Sequence, residues 1–147
     1  MNCKETLLDI ITSIEAYPFN GQSSMHTMNM HTKRVRLDEL DLNLSEKIIV
    51  PMKPKTCKLN DKDNLSAPGC SYEVTVTWQI QSLTNEGYSI LESLKENHNH
   101  LIIRTYGDSS FFIRCEELGY RFSYIENEGV IDCELTIHNK NGAQRIS

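Results

Sequence analysis

The chain lacks the short motifs that usually reveal catalytic chemistry. Its 147 residues hold no G-x-S-x-G nucleophile elbow, no phosphate-cradling Walker loop, no dinucleotide-binding glycine pattern and no H-E-x-x-H helix. Each absence removes a reaction class, leaving only an enzyme assembled from scattered residues whose chemistry nothing nominates. An excess of positive charge is also missing. With 15 Lys and Arg against 20 Asp and Glu the net charge is -5, which disfavours a general nucleic-acid binder, since that function needs a concentrated basic footprint. The five cysteines, Cys3, Cys57, Cys70, Cys115 and Cys133, form no C-x-x-C pair and leave one over from any complete pairing. Reduced thiols in an intracellular protein are the simpler expectation. No stretch approaches the length of a membrane span, and the opening "MNCKETLLDIITSIEA" interrupts its apolar residues with Lys4, Glu5, Asp9 and Glu15, unlike a secretory signal. A chain that stays soluble in the cell that makes it is therefore expected, and its size suits one domain with one substantial core.

What the sequence does contain is β periodicity. In "SYEVTVTWQI", Val74, Val76, Trp78 and Ile80 alternate with Glu73, Thr75, Thr77 and Gln79, the mark of a strand with one wet face. Trp78 shares its face with three aliphatic side chains and reads as a core anchor. The period then changes. Tyr88, Leu91 and Leu94 follow helical spacing, Thr84 suits an N-cap and Asn97 an exit, which predicts one principal helix over about 84–97, with "NHNH" as the turn that ends it. "LIIRTY", "SFFIRCEE", "YRFSYIE" and "VIDCELTIH" follow as four short strands separated by turn residues. Cys115 and Cys133 fall within these segments and are expected to act as small buried hydrophobes.

The first half is less regular. "LLDIITSIEA" fits a short helix or a strand, "KRVRLDELDLNL" carries features of both, and "EKIIVPMK" reads as a strand confined to an edge by its prolines. Residues 54–70 are rich in Lys, Asn, Asp, Pro and Gly and read as a long polar loop. Strands, then a helix, then four strands predict an α+β fold: a mainly antiparallel β-sandwich or partly closed barrel with one flanking helix.

Three clusters invite a chemical reading. "MHTMNMHTKR" brings together the thioether and imidazole donors that soft metals favour, but on a strand His26, Met28 and Met30 share a face while Met25 and His31 point away, and a helix gathers only selected pairs. We therefore expect an extended contact segment there and no metal site. "HNH" at 98–100 lacks the separated base and ligand residues of a nuclease. Glu116, Glu117, Asp132 and Glu134 read as carboxylates on a solvated strand face rather than as an acid–base pair. No cofactor is expected.

Residues 71–147, from "SYEVTVTWQI" through the helix to "HLIIRTYGDSSFFIRCEELGYRFSYIENEGVIDCELTIHNKNGAQRI" with its closing "GAQRI", resemble small tail-associated structural proteins encoded by prophages. The resemblance implies a β-sandwich or barrel with a flanking helix, assembly with copies of itself or with other virion proteins in a tail or neck, and no catalytic residues. It makes two segments the expected subunit contacts: Met25, Met28, Met30, Lys33, Arg34 and Arg36 in the first, Lys55, Lys58 and Lys62 in the second. A β-rich module binding a small ligand or peptide is the alternative.

Overall fold

The computed structural model describes residues 10–19, 34–36, 40, 42, 44–64, 71–81, 84–107, 109–116 and 118–146. Among the described residues ten strands form two separate sheets, so the architecture is an α+β sandwich and not a closed barrel. The strands are β1 (Ile11–Pro18), β2 (Arg34–Val35), β3 (Ile48–Ile49), β4 (Lys58–Asn64), β5 (Ser71–Gln81), β6 (Asn99–Thr105), β7 (Ser110–Ile113), β8 (Tyr120–Asn127), β9 (Val130–Asn139) and β10 (Ala143–Ile146). One sheet runs β2-β10-β7-β6-β1-β3 and the other β4-β5-β9-β8. Every pairing is antiparallel except that of the two-residue β2 with β10.

Alternation decides which side chains meet between the sheets. On β5 and β9 the opposed pairs Val74↔Ile137, Val76↔Leu135, Trp78↔Cys133 and Ile80↔Ile131 all face inward. They pack in one cluster with Ile14 and Ala16 of β1, Leu101 and Ile103 of β6, and Ile113 of β7. Trp78 is the expected anchor, buried and stacked on Phe122 at a ring separation of 5.7 Å. Cys115 and Cys133 are buried as expected, and burial pushes both thiols, with that of Cys57, up to about 12, so none is a ready nucleophile.

The helix α1 (Asn85–Glu96) occupies the predicted span. The Thr84 hydroxyl accepts the Gly87 N–H at 3.2 Å, satisfying one orphan donor, and the Asn97 N–H closes the last turn on Ser93 O. Leu91 and Leu94 enter the core. The opposite ends of β8 and β9 meet at Glu128 and Gly129, whose φ values of 54° and 81° suit the mirror-image turn that two-residue hairpins favour.

Three sequence expectations need correction. Within the polar stretch 54–70, residues 58–64 form strand β4, paired along its full length with β5; 65–70 lie outside the described residues. Its Lys, Asn and Asp are poor strand formers, but at an edge their charge blocks further pairing. "HNH" is not simply a turn: Asn99 and His100 open β6 and are buried. The closing "AQRI" is a strand as well, β10, inserted between β2 and β7. Of the ambiguous first half, "ITSIEAYP" is strand β1, with a register shift between Ile11 and Ser13.

Candidate assembly surface

The two sheets present very different outer faces. On the six-stranded sheet, Tyr17, Ile102 and Phe112 point away from the main core and cluster with Val35 of the edge strand β2 and with Leu40 and Leu42. This face also buries polar groups. The Arg104 Nε donates to Glu15 at 2.8 Å and its Nη2 at 3.3 Å, while the Tyr17 hydroxyl donates to the same carboxylate at 2.9 Å. Burial alone would raise the Glu15 pKa, but the hydrogen bonds from Arg104 and Tyr17 outweigh it and hold the carboxyl below its ordinary range. Nearby, the His100 Nδ1 accepts the Cys115 N–H at 2.8 Å between the rings of Phe19 and Phe112. Burial, then the positive charge of Arg114, lower its pKa to about 4, so the imidazole is neutral at pH 7. Neither cluster offers an activated nucleophile: Glu15 is committed to Arg104 and Tyr17, and His100 holds a backbone N–H rather than the Cys115 thiol.

The outer face of the four-stranded sheet is open. Period two places Lys58, Asn60 and Lys62 of β4, Glu73, Thr75, Thr77 and Gln79 of β5, Asp132, Glu134 and His138 of β9, and Arg121, Ser123 and Ile125 of β8 on one side. Gln79 donates to Asp132 at 2.9 Å and His138 lies 3.3 Å from Glu73. A shallow hollow of about 510 Å³ runs across the middle, with Thr56, Lys58, Gln79, Ile125, Asp132 and Glu134 in its lining. Ile125 is 70% exposed, which is unusual for a large aliphatic side chain on a strand. Asp132 and Glu134 lie on the solvated strand face expected for them, whereas Glu116 turns away to accept the Lys140 N–H.

The edge of this sheet at β8 is built with the helix. Tyr120, Phe122, Tyr124 and Glu126 share the face toward α1, and three hydrogen bonds join the two elements: Tyr120 Oη to Leu94 O at 2.7 Å, Tyr124 Oη to Glu92 at 2.8 Å and Tyr88 Oη to Glu126 at 2.7 Å. As residue numbers rise along β8 their partners fall along α1, so the helix runs antiparallel to the strand it covers. The sequence pattern identified both elements but not this Tyr and Glu ladder, because helical and strand periods show which side chains share a face without showing which faces meet.

The predicted contact residues divide. Met25, Met28, Met30 and Lys33 lie outside the described residues, as do His26 and His31. Arg34 is in β2 and Arg36 is exposed just beyond it. Lys55, Lys58 and Lys62 are all exposed: Lys55 in the turn before β4 with φ 68°, the other two on the outer face of β4. Among the described residues no group of three or more His, Cys, Asp or Glu side chains could hold a metal ion, and no helix is long and apolar enough to cross a membrane. Comparison with known protein families, with curated proteins and with solved structures finds no match to the chain.

Proposed function

We propose that the chain is a noncatalytic structural subunit that self-associates, or joins other virion proteins, in a prophage-derived tail or neck assembly. In this reading it is made in the cytoplasm and ends in the virion. The observation that carries the reading is the open outer side of the four-stranded sheet. It combines a polar face, an exposed Ile125 and a long edge strand, β8, at the end of the strand order. The sandwich with one flanking helix is also the architecture that the resemblance over residues 71–147 implies.

The test is particle size by light scattering or sedimentation over a wide concentration range, with electron microscopy of the largest species. Concentration-dependent growth into rings or regular oligomers is expected. A strictly monomeric chain that neither forms such particles nor joins virion partners would overturn the reading.

A second reading, a module for a small ligand or peptide, draws on the hollow over β5 and β9. At about 510 Å³ it falls within the range of ligand sites. It is the weaker reading, because Gln79 and Asp132 in its lining already satisfy one another.

A further inference from the structure

The charges of the four-stranded sheet are sorted by edge. On the β4 side, residues 53–64 carry four exposed lysines, Lys53, Lys55, Lys58 and Lys62, against two aspartates, Asp61 and Asp63. Of these, Asp61 is already engaged, accepting the Ala143 N–H of β10 at 3.0 Å. On the opposite side, α1 with β8 and its turn exposes five glutamates, Glu86, Glu92, Glu96, Glu126 and Glu128, against Lys95 and Arg121. One edge therefore carries an excess of two positive charges and the other an excess of three negative charges.

Apart from Lys53 and Glu86, which line one hollow, the two edges lie far apart within one molecule. Three strand spacings separate β4 from β8, roughly 14 Å, which exceeds the Debye length of about 8 Å at physiological ionic strength. The four lysines form no ion pair with a described carboxylate, and among the described residues Glu92 and Glu126 accept hydrogen bonds from Tyr124 and Tyr88. Each edge thus retains its field for a partner. A surface whose two sides are complementary to each other, but not to themselves, fits a second copy of the same chain placed head to tail.

We propose that copies of this chain associate through a heterologous interface in which the lysine edge at β4 of one copy meets the glutamate side formed by α1 and β8 of the next. This deepens the assembly reading above and rests on it. It also gives the assembly a direction. Such a contact closes into a ring when the rotation per subunit divides the circle and grows into a filament when it does not. It disfavours a face-to-face dimer through either edge alone, which would oppose like charges.

A charge-swap experiment on the full chain tests the proposal. One variant, Lys55→Glu/Lys58→Glu, makes both edges acidic, and another, Glu96→Lys/Glu128→Lys, makes both basic. All four side chains are exposed and none makes a hydrogen bond that the fold uses. Self-association of the unmodified chain should weaken at least tenfold between 50 mM and 500 mM NaCl. Each variant alone should associate at least tenfold more weakly than the unmodified chain at low salt. Mixing the two should restore association into particles containing both, a result that misfolded variants would not give. If both variants associate as well as the unmodified chain, or if the mixture does no better than either variant, the edge assignment is overturned while the assembly reading stands. An unmodified chain that stays monomeric at low salt overturns the assembly reading itself, and the edge assignment with it.

Discussion

The six-stranded and four-stranded sheets share one core, yet they treat their second faces in opposite ways. The first packs Leu40 and Leu42 against its outer face and holds a partly buried ion pair and a buried histidine there; the second leaves most of its outer face to solvent. A sheet closed on both faces is committed to stability, because every substitution meets neighbours. A sheet open on one face keeps a surface whose composition can serve a partner at little cost to folding. If that division is real, equivalent substitutions on the two outer faces should have very different consequences.

The largest expected effect is at Phe112, fully buried on the outer face of β7. Phe112→Ala removes an aromatic ring packed with Tyr17, Val35, Leu40 and Ile102, and should cost about 3–5 kcal/mol by urea denaturation. A cost below about 1 kcal/mol would mean that the packing with Leu40 and Leu42 contributes little, and the contrast between the sheets would collapse. Next comes acid sensitivity. The folded protein holds His100 near 4 against an ordinary value of 6.5, so the unfolded chain takes up the proton first. Stability is therefore full above about pH 6.5 and falls as pH drops toward 4, by an amount on the order of 3 kcal/mol. Denaturant titrations at intervals between pH 7 and 4 should show this limb, and His100→Gln, which keeps an acceptor for the Cys115 N–H, should flatten it.

The same contrast explains which parts of the fold were legible in the sequence. β5 and β9 each have one wet face, so their period of two is visible in the letters, and the helix with its Thr84 cap was equally plain. β1 was ambiguous because Ile14, Glu15, Ala16 and Tyr17 are all buried, two toward each side of the sheet, which erases the alternation. β4 was missed for the opposite reason: an edge strand needs a partner on one side only, and the lysines and aspartates that suit an edge look like loop. Of the candidate contacts, Lys55, Lys58 and Lys62 were nominated through the resemblance, which made their polar segment an expected subunit contact. Their proposed counterpart, the glutamates of α1 and β8, could not be found before the topology placed helix and strand side by side, since Glu92 and Glu126 are 34 residues apart in the chain.

A smaller effect is expected from the buried ion pair. Glu15→Gln keeps the shape but removes the charge that Arg104 and Tyr17 address, and should cost about 1–3 kcal/mol at pH 7. The pair is partly open to water on its Arg104 side, 41% exposed, which keeps the cost below that of a fully enclosed pair. The Glu15 carboxyl is held below its ordinary range when folded, so its contribution is present above the unfolded value of about 4.5 and is lost as pH falls through the folded one. The difference between the unmodified chain and Glu15→Gln should accordingly shrink below pH 4.5. A difference that stayed constant to pH 2 would show that geometry, not charge, accounts for the cost.

The smallest effect on folding, and the sharpest test of the contrast, is at Ile125. It occupies the outer face of β8 opposite Asp132, with Ser123 and Asn127 as its neighbours along the strand, and it is 70% exposed. Ile125→Ser should change folding stability by less than about 0.5 kcal/mol, because little apolar surface is buried in the single chain. Association is a different matter. Complete burial of an isoleucine is worth about 1.5–3 kcal/mol, and most of that remains to be gained here, so a partner seated on this face would lose about 1–2 kcal/mol on substitution, roughly 5- to 30-fold in affinity. Thermal melts and sedimentation of the same preparation separate the two quantities. A destabilised monomer would mean that the face is already covered, and unchanged association would place the partner surface away from Ile125, leaving the charged edges to act without it.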